Sequence, residues 1–274
     1  MNTRKFVSVA ALVLTAAFSL CACQRSETPA ENIAESDLPE LNIGVDILKP
    51  FFYIDENGDY TGIDADIATE ACQRAGYEPN FVEIEWNDRD NYLQDGSVDC
   101  LWNAFSKNGR EDDYRWTDTY LQSNLRAIVD NKSPDEDIDS LNIHAGMAVR
   151  AGSKIEELLL DDTSGRPSIR IYSCGTFEMA ETAFVKGYIG GLGCHEIVLE
   201  DFMNNYPGQY RFLDGSLMTV DLGVAFSRSD SSEKWQKIND AIKEMKTDGT
   251  IAEIWDKYSS ASETSKEVPS DAEN

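Results

Sequence analysis

Two runs of alternating extended and helical sequence, parted by the turn-forming break Asp130-Asn131-Lys132-Ser133-Pro134, constrain the fold of this chain more than any other feature. In the first run, residues 41–47 (LNIGVDI) alternate apolar with small or polar positions, as a strand with one covered face does. Residues 49–64 cross two extended pieces around Glu56-Asn57-Gly58, a hairpin-type turn sequence. Residues 64–76 place Ile67, Ala71 and Ala75 four apart and stop at Gly76, which predicts a helix with a glycine terminus. A strand at 80–86 (NFVEIEW), a short helix at 87–97 and a third strand at 98–105 (VDCLWNAF) follow. In the second run the order is strand 144–152, helix 154–160, strand 169–174, helix 177–187 and a glycine-rich apolar stretch 188–194. Strands that alternate with helices pair in parallel, because each helix carries the chain back to the end where the next strand starts. Each run therefore predicts an α/β lobe with a mainly parallel sheet flanked by helices, and 274 residues are enough for two lobes.

The chain then continues through a strand at 221–228 (DLGVAFSR) and amphipathic helix over 233–258. Trp235, Ile238, Ile242 and Met245 form one apolar stripe, and Ile251, Ile254, Trp255 and Tyr258 form a second beyond Asp248-Gly249. Such stripes are core-facing.

Fifty acidic residues stand against 24 basic ones, a formal charge of −26. A surface of that sign repels nucleic acid and anionic headgroups, so no nucleic-acid partner is expected. Solvation of a secreted protein is sufficient reason for it. The ends differ from the body. Arg4 and Lys5 precede a 15-residue apolar stretch, 6–20, which is short for a membrane span and reads as a targeting segment. It ends Leu20-Cys21-Ala22-Cys23, which resembles a bacterial lipoprotein signal with Cys23 as acceptor; an ordinary secretory cleavage near Ala22 is the alternative. Under the first reading residues 1–22 are the signal peptide and a lipid on Cys23 anchors the protein, outside the cytoplasm, to the outer face of the membrane. Residues 23–39 then form the lipidated N-terminus and a flexible stalk, and 261–274 a disordered acidic tail.

Cys72, Cys100, Cys174 and Cys194 remain in the body. An extracytoplasmic site permits disulfides. Cys174 and Cys194 end strand-like runs in the same half and are the favoured pair, with buried free thiols as the other reading. There is no C-x-x-C, no H-E-x-x-H and no phosphate loop, and the chain has only two histidines. No metal site, no cofactor and no catalytic group is expected.

The order LNIGVDI, PFFY-x-DENG, YTGID-x-DIATEA, SVDCLWNAFS with GRE, HAGMAVRAGS and AIKEMKTDGTIAEIWDKY resembles the polar-amino-acid solute-binding proteins of ABC importers over residues 40–260. That resemblance implies a two-lobed periplasmic-binding-protein-like clamp with two crossings between lobes, near 125–131 and 221–226. Lobe 1 would be 40–128 plus 223–260, and lobe 2 would be 129–222. It implies a ligand held between the lobes, hinge closure, an ABC permease as partner and a monomeric state.

It also implies a role for Arg110. The family holds the ligand's α-carboxylate with an arginine after the third strand of lobe 1, since a planar guanidinium offers two parallel donors. Read from the local sequence alone, Arg110 would instead be a surface residue paired with Asp112 or Asp113. Asn103 and Ser106 would assist it, and the turn Gly152-Ser153-Lys154 would add donors from the other lobe. An acidic residue usually holds the α-ammonium; the matching position is His195, followed by Glu196, a departure that puts an ordinary amino-acid ligand in question. Asp46 would meet a polar or cationic ligand side chain, with Phe51 or Phe52 and Phe105 as ligand walls. The function implied is capture of a small carboxylate-bearing polar solute, an amino acid above all, for import. Alternatives are a sensory lipoprotein acting through a membrane partner and a dehydratase-type enzyme on the same fold.

Overall fold

A computed structural model describes residues 38–140, 146–161 and 169–264. The expected signal peptide, Cys23, nearly all of the stalk and the tail from residue 265 lie outside the described residues.

The first sheet grows around β1 (Glu40–Val45), whose Leu41, Ile43 and Val45 are fully buried. It pairs in parallel with β4 (Glu78–Glu83) on one side and β5 (Cys100–Leu101) on the other. The crossover helix α1 (Ile63–Ala75) stops where Gly76 takes up a left-handed conformation, as its sequence predicts. The Asn57-Gly58 turn lies between β2 (Tyr53–Ile54) and β3 (Tyr60–Thr61), which pair antiparallel. After a 3-10 turn at Trp86–Asp88, α2 (Arg89–Gln94) leads to β5. Two further strands, β6 (Arg115–Trp116) and β13 (Ala225–Phe226), complete the order β4-β1-β5-β13-β6.

The third strand is shorter than its sequence suggests. β5 ends at Leu101, and Ala104 adopts a left-handed φ of 48°, a conformation uncommon without glycine. The buried Asp64 side chain holds it there, its Oδ2 accepting the Ala104 N–H at 2.5 Å. Trp102 packs on Tyr120, whereas Phe105 enters a separate cluster with Trp86, Tyr114 and Trp116.

The second sheet is built on the ten-residue β7 (Leu121–Asp130). One edge of β7 pairs with β11 (Tyr210–Phe212) and β12 (Met218–Leu222), and the other with β10 (Gly191–His195). β8 (Met147–Arg150) and β9 (Ile171–Cys174) continue it in parallel. Helices α3 (Lys154–Leu160), α4 (Phe177–Val185) and α5 (Glu196–Asn204) follow β8, β9 and β10. Both sheets are mixed rather than mainly parallel. The strands that carry the chain between lobes start at the cleft, where β1, β5, β8 and β10 end, so β7 and β13 run antiparallel to their neighbours.

Sheet membership changes between Trp116 and Leu121 and again between Leu222 and Ala225. The expected boundary after residue 128 falls inside β7, and the expected crossing at 125–131 belongs to the second sheet. The two crossing segments are bonded to each other: Thr117 N–H donates to Val224 O, Val224 N–H to Thr117 Oγ1 and Tyr120 N–H to Leu222 O, each at 3.0 Å. Helix α6 (Lys234–Asp248) buries Ile238, Ile242 and Met245 and packs on α1. Gly249, with φ at 89°, breaks it from α7 (Thr250–Thr264).

All four body cysteines are free thiols, which corrects the favoured Cys174–Cys194 pairing. β8 lies between the strands that carry them. Two strand spacings put their Cα atoms roughly 9–10 Å apart, beyond the ~7 Å that a disulfide spans.

Candidate ligand cleft

The carboxyl ends of β1 and β5 in one lobe face those of β8 and β10 in the other, the position at which open α/β sheets place their ligand crevices. The crevice is nearly shut. Its cavity measures about 20 Å³ and is lined by Trp86, Phe105 and Arg110 from the first lobe and Arg150, Gly152, Ser153, Lys154 and His195 from the second. That is room for about one water molecule. Side chains from the two lobes close it.

Arg110 follows the left-handed kink at Ala104 and is 7% exposed. Its backbone is fixed at both ends, the N–H donating to Lys107 O and the carbonyl accepting from Trp116 Nε1, each at 2.8 Å. The guanidinium lies over the Phe105 ring, 5.2 Å from its centroid. Nη1 donates to Ser106 O at 3.4 Å, and Nη2 reaches across the cleft to Gly152 O at 3.3 Å and Glu157 Oε2 at 2.8 Å. Burial lowers its pKa from the usual arginine value. The local alternative, an ion pair with Asp112 or Asp113, is not formed; Asp112 lies beside Arg228.

Asp46, at the end of β1, is met by Arg150 from the end of β8. Nη1 of Arg150 donates to both carboxylate oxygens, at 2.6 and 2.7 Å, and Asn103 Nδ2 donates to the same carboxylate. Burial pushes the Asp46 carboxyl up, and Arg150 beside it offsets part of that rise. Arg150 also stacks on Trp86, 4.9 Å from the ring centroid. The cation expected against Asp46 is thus supplied by the chain itself.

The Gly152-Ser153-Lys154 turn heads α3, with Gly152 at φ 71°. Its donors are engaged locally: Gly152 N–H donates to Glu156 Oε2 at 2.6 Å, Ser153 N–H to Arg150 O at 3.2 Å, and Ser153 Oγ caps Glu156 N–H at 3.3 Å. Lys154 Nζ pairs with Glu157 Oε1 at 2.8 Å.

His195 ends β10 inside the cavity wall. Its Nδ1 lies 3.0 Å from Ser123 Oγ, and the edge of its ring meets Phe51 at a centroid distance of 5.4 Å. Burial, with the Arg150 charge second, holds its pKa down to about 3, so the ring is neutral at physiological pH. Glu196 does not take its place. Its carboxylate turns to Arg126 Nη1 (2.6 Å) and Asn124 Nδ2 (3.0 Å) and lies outside the cavity lining. Burial raises its pKa, but these two partners outweigh that and hold it below the usual glutamate value. The two phenylalanines also part. Phe51 touches His195, while Phe52 packs away from the cleft on Tyr60 and Phe81.

Arg150, Trp86 and Glu157 are cleft residues that sequence reasoning missed. Arg150 left a signal, a lone charge in the apolar run MAVRAG. Glu157 left none, because its role depends on two lobes meeting.

Comparison with known proteins agrees with this architecture. Residues 41–261 match the bacterial extracellular solute-binding proteins, family 3. The chain belongs to that family. It is 26% identical to the L-cystine-binding protein TcyA of Bacillus subtilis over 271 residues, covering 90% of this chain and 94% of that one. It is 25% identical to the arginine-binding extracellular protein ArtP of the same organism over 254 residues, covering 90% and 96%. The solved structure of an ancestral arginine-binding protein bound to arginine superposes with a TM-score of 0.73 at 22% identity, over 80% of this chain and 97% of that one. The fold is the two-lobed α/β periplasmic-binding-protein fold.

Proposed function

We propose that this chain captures a small carboxylate-bearing polar solute, an amino acid or a close relative, between its lobes and delivers it to an ABC permease while tethered to the membrane by a lipid on Cys23. One observation carries the reading: Arg110, a buried guanidinium backed by Phe105, stands at the cleft between the lobes and reaches from one to the other. A buried planar donor of this kind suits a carboxylate. The names of the relatives, which bind cystine and arginine, support an amino-acid ligand. Hinge closure about the paired segments 117–120 and 222–224 would bring the lobes onto the ligand without any bond chemistry.

Calorimetric titration of the protein with the common amino acids and their deaminated and N-blocked analogues tests this. Micromolar or tighter binding of a carboxylate-bearing compound is the expected result. A complete lack of binding across that set would remove the reading, and loss of binding without the free amine would show that the amine is recognised.

A further inference from the structure

The charges around the cleft do not match a ligand with one carboxylate and one ammonium. In a chain of net charge −26, the cavity wall carries Arg110, Arg150 and Lys154, and among the described residues no Asp or Glu lines it. Asp46, Glu156 and Glu157 lie outside that lining; Asp46 and Glu157 are held by those same cations, and Glu156 accepts the Gly152 N–H. His195 adds a neutral imidazole, which can donate a hydrogen bond to an anion but cannot balance an ammonium.

Arg150 is the informative residue. Among the described residues its hydrogen bonds run through Nη1 alone, to the two Asp46 oxygens. The Nε–Nη2 edge, one of the guanidinium edges that can grip a carboxylate bidentately, carries none. Asp46, Asn103 and the Trp86 ring fix the position of Arg150 at the cavity wall, in the lobe opposite Arg110. Two guanidinium groups, one per lobe, therefore face a single cavity.

Resting on the cleft as the ligand site, we infer that the ligand is an acid with a second anionic group, of the dicarboxylate class, with one carboxylate on Arg110 and the other on Arg150. Each lobe then contributes one guanidinium, and a diacid admitted when the lobes part has an anionic group for each. A cationic amino acid would bring its side-chain charge among three positive residues, and a neutral one would leave the Nε–Nη2 edge of Arg150 without a second anion beside Asp46.

The test is calorimetry with pairs that differ by one charge at equal size: L-glutamate against L-glutamine, L-aspartate against L-asparagine, with glutarate and succinate as amine-free diacids. The expected result is a diacid bound at least 100-fold more tightly than its amide partner, about 2.7 kcal/mol. Because Arg150→Gln alone would strand a buried Asp46, the variant is Asp46→Asn/Arg150→Gln, which removes both charges together. It is expected to reduce the diacid-to-amide ratio below about fivefold, about 1 kcal/mol. An amide or other neutral amino acid binding as well as the diacid would overturn the inference and leave the amino-acid reading standing. A ratio unchanged in the double variant would overturn the assignment to Arg150. Failure of every compound, the common amino acids included, would overturn both readings.

Discussion

Glu157 Oε2 lies 2.8 Å from Arg110 Nη2, so a carboxylate of one lobe already occupies the guanidinium of the other. Glu157 stands where a ligand carboxylate would compete for the same donors. Its side chain is 46% exposed, so the pair is screened and is worth no more than about 1 kcal/mol. Glu157→Gln is therefore expected to tighten binding of a carboxylate ligand by about two- to fivefold, since ~1.4 kcal/mol corresponds to tenfold. Titration at low and high salt would check it. Weaker binding in the variant would mean that Glu157 acts as a closure contact and not as a competitor.

Removal of Arg110 itself should be far more damaging. A buried charge partner of a ligand is worth about 2–5 kcal/mol on truncation. Arg110→Ala is then expected to weaken binding by roughly 30-fold to several-thousand-fold. Arg110→Lys should recover only part of this, because an ammonium lacks the planar fork. Unchanged affinity in Arg110→Ala would end the carboxylate assignment.

What the sequence displayed and what it hid divide along a physical line. Periodicity exposed α1 with its Gly76 stop, the Asn57-Gly58 hairpin and the α3 segment, because each is decided by neighbours in sequence. Contacts that join distant residues left no local trace. The Asp64–Ala104 bond ends β5 early, and nothing within residues 98–105 reports Asp64. The antiparallel entry of β7 and β13 likewise follows from where the chain crosses between lobes. The position of Arg110 at the cleft was legible through family resemblance, whereas its contacts with Gly152 O and Glu157 depend on the two lobes meeting.

The thiols supply a stability test. Cys72, Cys100 and Cys194 are buried, and burial pushes the Cys72 and Cys194 thiols up to about 12 and Cys100 well above its ordinary value. They should be inert to Ellman's reagent in the native protein, with half-buried Cys174 reacting slowly and all four reacting after unfolding. Reductant should leave the melting temperature unchanged. A disulfide would contribute about 2–4 kcal/mol, and its reduction would lower the midpoint by several degrees.

Asp64 gives the chain a titration that opposes that of His195. Burial pushes the Asp64 carboxyl up to about 7 from an ordinary 3.8, a rise only partly offset by the Ala104 N–H and by Tyr120. Between those two pH values the folded chain keeps a proton that the unfolded chain releases. The resulting stabilisation is complete below pH 3.8 and is lost as pH rises through 7. His195, held at about 3, works the other way: its contribution is complete above 6.5 and falls as pH drops toward 3. Asp64→Asn removes the first titration and leaves the second. The stability of the variant relative to the parent should therefore improve between pH 4 and pH 8, by an amount on the order of 1–4 kcal/mol. Urea unfolding of both proteins at the two pH values isolates the term, because His195 and every other group cancel in the difference. An equal offset at both pH values would show that Asp64 does not hold a proton in the folded protein, and the left-handed turn at Ala104 would then be held by a buried carboxylate anion.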